Sequence, residues 1–155
     1  ESVLFSMPII PFPLEAKQDE HSLSAMRQSL SQCEGSIDKV NRNVFPDTAL
    51  SMSNTLVVSG WLAENPSKGI LPETVYVTLT DGQGKRLYIE TEKEIRTDLV
   101  NSFSQITMQD AGYEVYVDIS NLKSMYTLGL AYSNQDILMN CKNFSIQINI
   151  ESNNP

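Results

Sequence analysis

Apolar and polar residues alternate along most of this chain after residue 33, and the pattern is clearest between Gly112 and Ser133. Tyr113, Val115, Val117 and Ile119 are interleaved with Glu114, Tyr116 and Asp118, the period of two that gives a strand one dry and one wet face. Tyr126, Leu128, Leu130 and Tyr132 repeat it against Thr127, Gly129, Ala131 and Ser133, and Ser120 to Lys123 supplies turn residues between the two runs. Upstream, Val75, Val77 and Leu79 alternate with Tyr76, Thr78 and Thr80. Asp81-Gly82-Gln83-Gly84 then predicts a hairpin into 85–91, where Leu87 and Ile89 continue the inward set. Further strands are predicted over 35–41, 51–62, 137–141 and 144–150. In 51–62, Leu56, Val58 and Gly60 oppose Val57, Ser59 and Trp61. Leu99, Val100 and Phe103 fit one helical turn.

About eight short strands with turns between them, and no strand-helix-strand alternation after residue 33, predict an all-β fold: an antiparallel immunoglobulin-like β-sandwich, with a closed barrel as the alternative. The sandwich is expected over 33–151. Ahead of it, residues 1–14 carry apolar residues and Pro8, Pro11 and Pro13 without a period, which suits an extended segment or a frayed terminus. Over 15–32, Leu23, Met26 and Leu30 stand three and four apart, which predicts one short N-terminal amphipathic helix. Residues 1–32 thus read as a linker or packing arm, and 152–155 as a polar tail. The apolar run 3–12 is too short to span a bilayer, which takes about 20 residues. Beginning at Glu1 rather than Met, the chain reads as a trimmed or mature product.

With 155 residues, the chain is one domain by size and needs no metal to fold. A net charge of −8 repels phosphate backbones and argues against a nucleic-acid partner. The two cysteines, Cys33 and Cys141, bracket nearly all of the strand pattern. Bonded, they would close a loop of about 100 residues and fit an oxidising compartment; the alternative is two buried free thiols in a cytosolic protein. With one distant histidine, His21, they cannot complete a four-ligand zinc site, and His21 itself suits a solvated position near a helix start. No metal or other cofactor is expected.

A hydrolase of the serine or cysteine type needs a base beside its nucleophile, and the single histidine offers no such arrangement. Two carboxylates across a cleft would suffice for a glycosidase, and Asp98, Asp110, Glu114 and Asp118 are the candidates. Asn143-Phe144-Ser145 matches a glycosylation sequon, a pattern frequent by chance. If Val75, Leu87 and Val115 face inward, Tyr76, Tyr88 and Tyr116 face outward, where a tyrosine platform could stack on sugar rings or pack on a protein partner. The plainer reading is that these tyrosines form cross-strand pairs.

One ordered set of residues is also familiar: Cys33-x-Gly35-x-Ile37-Asp38, Ser59-Gly60-Trp61, Arg96-x-Asp98, Gly112-Tyr113, Asp118, Leu122, Tyr126-x-Leu128-x-Leu130 and Cys141. It resembles exported sandwich modules appended to bacterial polytopic membrane proteins of glycosyltransferase type, over about residues 33 to 150. Thr97 stands where that pattern often has proline, and Tyr113 where it often has phenylalanine. The resemblance implies a non-catalytic module, periplasmic or extracellular, on a membrane-anchored protein that handles envelope sugars, with Arg96 and Asp98 organising a loop as an ion pair. A binding or scaffold module of the bacterial envelope, with a glycan or membrane protein as partner, is therefore the first expectation. A small carboxylate-dependent glycan-processing enzyme is the second.

Overall fold

The computed structural model describes residues 23, 26–41, 43–44, 50–52, 54–122 and 124–150. They form two separate sheets rather than one sheet closed on itself. The five-stranded sheet contains β2 (Glu34–Val40), β3 (Asn43–Val44), β5 (Thr55–Ala63), β8 (Glu92–Glu94) and β9 (Gly112–Asp118), in the order β3-β2-β5-β9-β8. The seven-stranded sheet contains β1 (Arg27–Ser31), β4 (Leu50–Met52), β6 (Thr74–Thr80), β7 (Arg86–Glu90), β10 (Ser124–Asn134), β11 (Ile137–Cys141) and β12 (Ile146–Ile150). Its centre is β10. β6 runs along one edge of it and carries β7 beyond. β12 and β11 divide the other edge, pairing with Ser124–Leu128 and Ala131–Asn134 respectively.

The predicted alternation decides what lies between the sheets. Val58, Leu56, Leu62, Tyr113, Val115 and Val117 from one sheet pack with Val77, Leu79, Leu128, Leu130, Tyr132 and Ile148 from the other in a single core. Asp81 makes the predicted hairpin, its Oδ1 accepting from the Gln83 and Lys85 backbone N–H groups at 2.9 Å each, with Gly84 at φ +88°. Such positive φ is open to glycine at little cost. The helical turn read from Leu99 and Phe103 is α1 (Thr97–Phe103).

Twelve strands are present among the described residues, where about eight were expected. The largest departure is at the end of the predicted N-terminal helix, of which Leu23 is helical and residues 15–22 and 24–25 lie outside the described residues. Residues 27–31 are strand β1, paired parallel with β11, so that the sheet takes in residues ahead of Cys33. The helical stripe is not buried as one face: Leu23 is 5% exposed but Leu30 is 66% exposed. Serines at positions 29 and 31 weaken a helix, and the backbone finds its partners along β11 instead. β4 also pairs parallel, with β12, so the expected purely antiparallel arrangement holds for the interior strand pairs and fails at two edges. Residues 1–14, His21 and the tail 152–155 lie outside the described residues.

Cys33 and Cys141 form a disulfide, 108 residues apart in sequence. It sits where the chain leaves β1 in one sheet and enters β2 in the other. The Asn143 carboxamide closes the same corner, accepting from the Cys33 N–H at 2.8 Å and donating to the Cys33 carbonyl at 3.0 Å. Asn143 Nδ2 is thus engaged within the fold, which argues against the sequon as a glycan site.

Candidate open-face groove

The residues that alternate away from the core in the five-stranded sheet form its outer face. On β9 these are Glu114 and Tyr116; opposite them on β5 stand Ser59 and Val57, with Thr55 beyond. One end of this face is covered. There α1 and the 3₁₀ turn Ile106–Asp110 pack on it, with Trp61 against Phe103 at 5.4 Å between ring centroids and Leu99 and Met108 buried. At the other end the face is open, and a groove of about 1020 Å³ runs over it, lined among others by Lys39, Asn41, Val57, Glu94, Glu114 and Tyr116. Tyr116 is 63% exposed there, and Ile95 at the rim is 58% exposed.

A bulge builds one wall. The β2–β5 register shifts between Ile37 and Lys39, which lets Ile37 and Val40, three apart, both enter the core. The extra residue is Asp38, re-aimed as bulges re-aim side chains. Its Oδ2 accepts from Arg96 Nη1 at 2.8 Å and its Oδ1 from Ser36 Oγ at 2.7 Å. Arg96 also grips Asp98 in a fork, Nε to Oδ1 at 2.9 Å and Nη2 to Oδ2 at 2.8 Å. The hydrogen bond from Arg96 holds the Asp98 carboxyl below the usual carboxylate range, and the pair raises the already high guanidinium pKa. The ion pair expected of Arg96 and Asp98 is therefore present, with Asp38 as a third member. The sign of that member in the sequence is the three-residue spacing of Ile37 and Val40, which breaks the strand period.

Behind the wall, the chains approach closely. A side chain at Gly60 would run into the Ser36 carbonyl and the Tyr113 hydroxyl, and one at Gly112 into the Glu94 carbonyl. Tyr113 uses its hydroxyl to donate to the Ser36 carbonyl at 3.0 Å, and burial pushes its pKa well above that of a free phenol. The scattered set Asp38, Gly60, Arg96, Asp98, Gly112 and Tyr113 thus converges on one corner beside the groove.

Across the groove, β8 brings a row of acids to β9: Glu92 stands directly opposite Glu114 and Glu94 opposite Gly112. Desolvation raises the Glu114 pKa, Glu94 and Glu92 raise it further, and Lys39 opposes them. Of the other carboxylate candidates, Asp98 is engaged by Arg96, and Asp118 accepts from the Ser120 N–H and hydroxyl. Asp110 ends the 3₁₀ turn.

The structure does not bring the three tyrosines together. Tyr116 lies on the five-stranded sheet, whereas Tyr76 and Tyr88 lie on the outer face of the seven-stranded sheet. There they meet edge to face at 6.1 Å, and Tyr76 is buried with Leu23, Ala131 and Leu138. Tyr88 donates to Asn140 Oδ1 at 2.7 Å. The expected platform is corrected to Tyr116 alone, because the other two lie on the opposite sheet, where Leu23 and Met26 pack with them. Among the described residues, no group of three or more His, Cys, Asp or Glu side chains could hold a metal ion, and no helix is long and apolar enough to cross a membrane. No protein-family model and no curated protein sequence matches the chain.

Proposed function

We propose that this chain is a non-catalytic, extracytoplasmic binding module of the bacterial cell envelope, and that it binds glycans in the open groove of its five-stranded sheet. The observation that carries the reading is Tyr116, 63% exposed on a sheet face amid hydroxyl, amide and charged side chains. An exposed aromatic ring offers a stacking surface to the apolar face of a sugar, and the polar groups around it can take the hydroxyls. The disulfide supports a periplasmic or extracellular setting. The two-sheet architecture supports an immunoglobulin-like sandwich as the carrier of the site.

The test is an NMR titration of the oxidised domain with a panel of envelope oligosaccharides, repeated on Tyr116→Ala. Saturable shifts at Val57, Glu114 and Tyr116 that vanish in the variant support the reading. Flat titrations across the panel count against it and favour a scaffold that docks on a membrane protein partner. A second reading, a carboxylate-dependent glycan-processing enzyme, draws on Glu114, whose pKa is raised by desolvation and by the neighbouring Glu94 and Glu92. It requires turnover of one of the same glycans and its loss in Glu114→Gln.

A further inference from the structure

The charges lining the groove do not balance. Arg96 is the stronger of its two cations, yet its guanidinium is held by both Asp38 and Asp98 and has little charge to offer a ligand. That leaves Lys39 against Glu94 and Glu114, with Glu92 in register behind Glu114. Like charges directly opposite in a ladder are unfavourable, and water has been partly withdrawn from Glu114 as well. Two residues along the same strand, on the same face, stands the exposed ring of Tyr116. Two residues of strand span about 7 Å, so one sugar ring can lie on Tyr116 while a substituent reaches the Glu114 carboxylate.

We propose that the groove selects sugars carrying a free amine over their N-acetylated counterparts, the ammonium pairing with Glu114 beside Glu94 and the ring lying on Tyr116. This rests on the glycan reading given above. An ammonium relieves the repulsion between the carboxylates, makes charge-assisted hydrogen bonds with them and is attracted to the tyrosine face. An N-acetyl group carries no charge and leaves the acids facing one another.

The decisive experiment compares two tetrasaccharides of one backbone, β-1,4-linked N-acetylglucosamine and its fully deacetylated form, by NMR titration of the oxidised domain. It is run at about pH 6, below the usual range for an amine. The expected result is about tenfold tighter binding of the deacetylated form, with shifts at Lys39, Glu94, Glu114 and Tyr116 and weakening as salt is added. In Glu114→Gln, and to a lesser degree in Glu94→Gln, the deacetylated form should fall towards the affinity of the acetylated one. Equal affinity for the two sugars, or a preference that survives both variants, overturns amine selection while leaving glycan binding in place. A tetralysine peptide that binds the same residues as tightly as the deacetylated sugar also overturns it, because charge alone then accounts for the effect. If neither sugar moves any resonance, the glycan reading fails and this inference with it.

Discussion

The two sheets turn very different outer faces to their surroundings. On the seven-stranded sheet the outward residues of the central strands are small or already engaged: Gly129, Ala131 and Ser133 on β10, and Tyr76 on β6. Leu23 and β1 lie over or beside them. Asn140 ties the layer down, accepting from Arg86 Nη1 at 2.8 Å and from the Tyr88 hydroxyl at 2.7 Å while donating to Gln28 Oε1 at 3.0 Å. On the five-stranded sheet, α1 covers only the Trp61 end, and the rest presents Tyr116, Glu114 and Lys39 around a groove. Strand parity treats Tyr76 and Tyr116 alike. What separates them is whether another part of the chain folds back over them, so the face left bare is the one to examine for a ligand.

The largest effect should come from the disulfide, which anchors the chain just after β1 and so holds the cover of the seven-stranded sheet. Reduction, or Cys33→Ala with Cys141→Ala, should cost about 2–5 kcal/mol in urea unfolding. Hydrogen exchange should show β1 and β11 losing protection ahead of β5 and β9. Equal loss in both sheets would mean that the covered face does not depend on this link.

Next comes the direct contrast of the two tyrosines. Tyr76→Ala opens a space beneath Leu23 and Leu138 and should destabilise by about 3 kcal/mol. Tyr116→Ala removes an exposed ring and should change stability by no more than about 0.5 kcal/mol. Similar losses for both, read from denaturant midpoints, would break the distinction between covered and open faces.

Arg96→Met tests the wall of the open face. It leaves Asp38, with a side chain only 27% exposed, without its cation, and should cost about 1–3 kcal/mol, part of it offset by solvent screening. Asp98 is 61% exposed and contributes less. Because its pKa is lowered by Arg96, its share of stability is present above the ordinary carboxylate range and is lost as the pH falls through its folded-state value. An acid titration of wild type against Asp98→Asn should show the two converging at the acid end.

Much of this was legible in the chain and some of it was not, for physical reasons. The inward sets on β6, β9 and β10 follow from side-chain parity alone, and the hairpin at Asp81 from local turn chemistry. The Arg96 and Asp98 pair was expected from the resemblance alone, since two charges two residues apart do not by spacing have to meet. β1 was hidden because its partner, β11, lies more than a hundred residues away, while the local spacing of Leu23, Met26 and Leu30 favoured a helix. Asp38 was hidden by the bulge that aims it, and the fate of Tyr76 by the segment that covers it.

The smallest expected effect is the most informative about the groove, and it has the opposite sign. Glu114 has lost part of its water, faces Glu92 across the ladder and lies near Glu94, with Lys39 acting against them. Its folded-state pKa lies above the ordinary value of 4.5, so the folded protein binds a proton that the unfolded chain has already released. The penalty is absent below pH 4.5, develops as the pH rises through the folded-state value, and is complete above it. Glu114→Gln should therefore be stabilising at neutral pH by about 0.2–1 kcal/mol, with the gain fading in acid. Urea midpoints of both proteins from acid to neutral pH measure this directly. A variant that is less stable than wild type at neutral pH would mean that Glu114 is already well partnered. The open face would then hold no unbalanced charge for a cation to relieve.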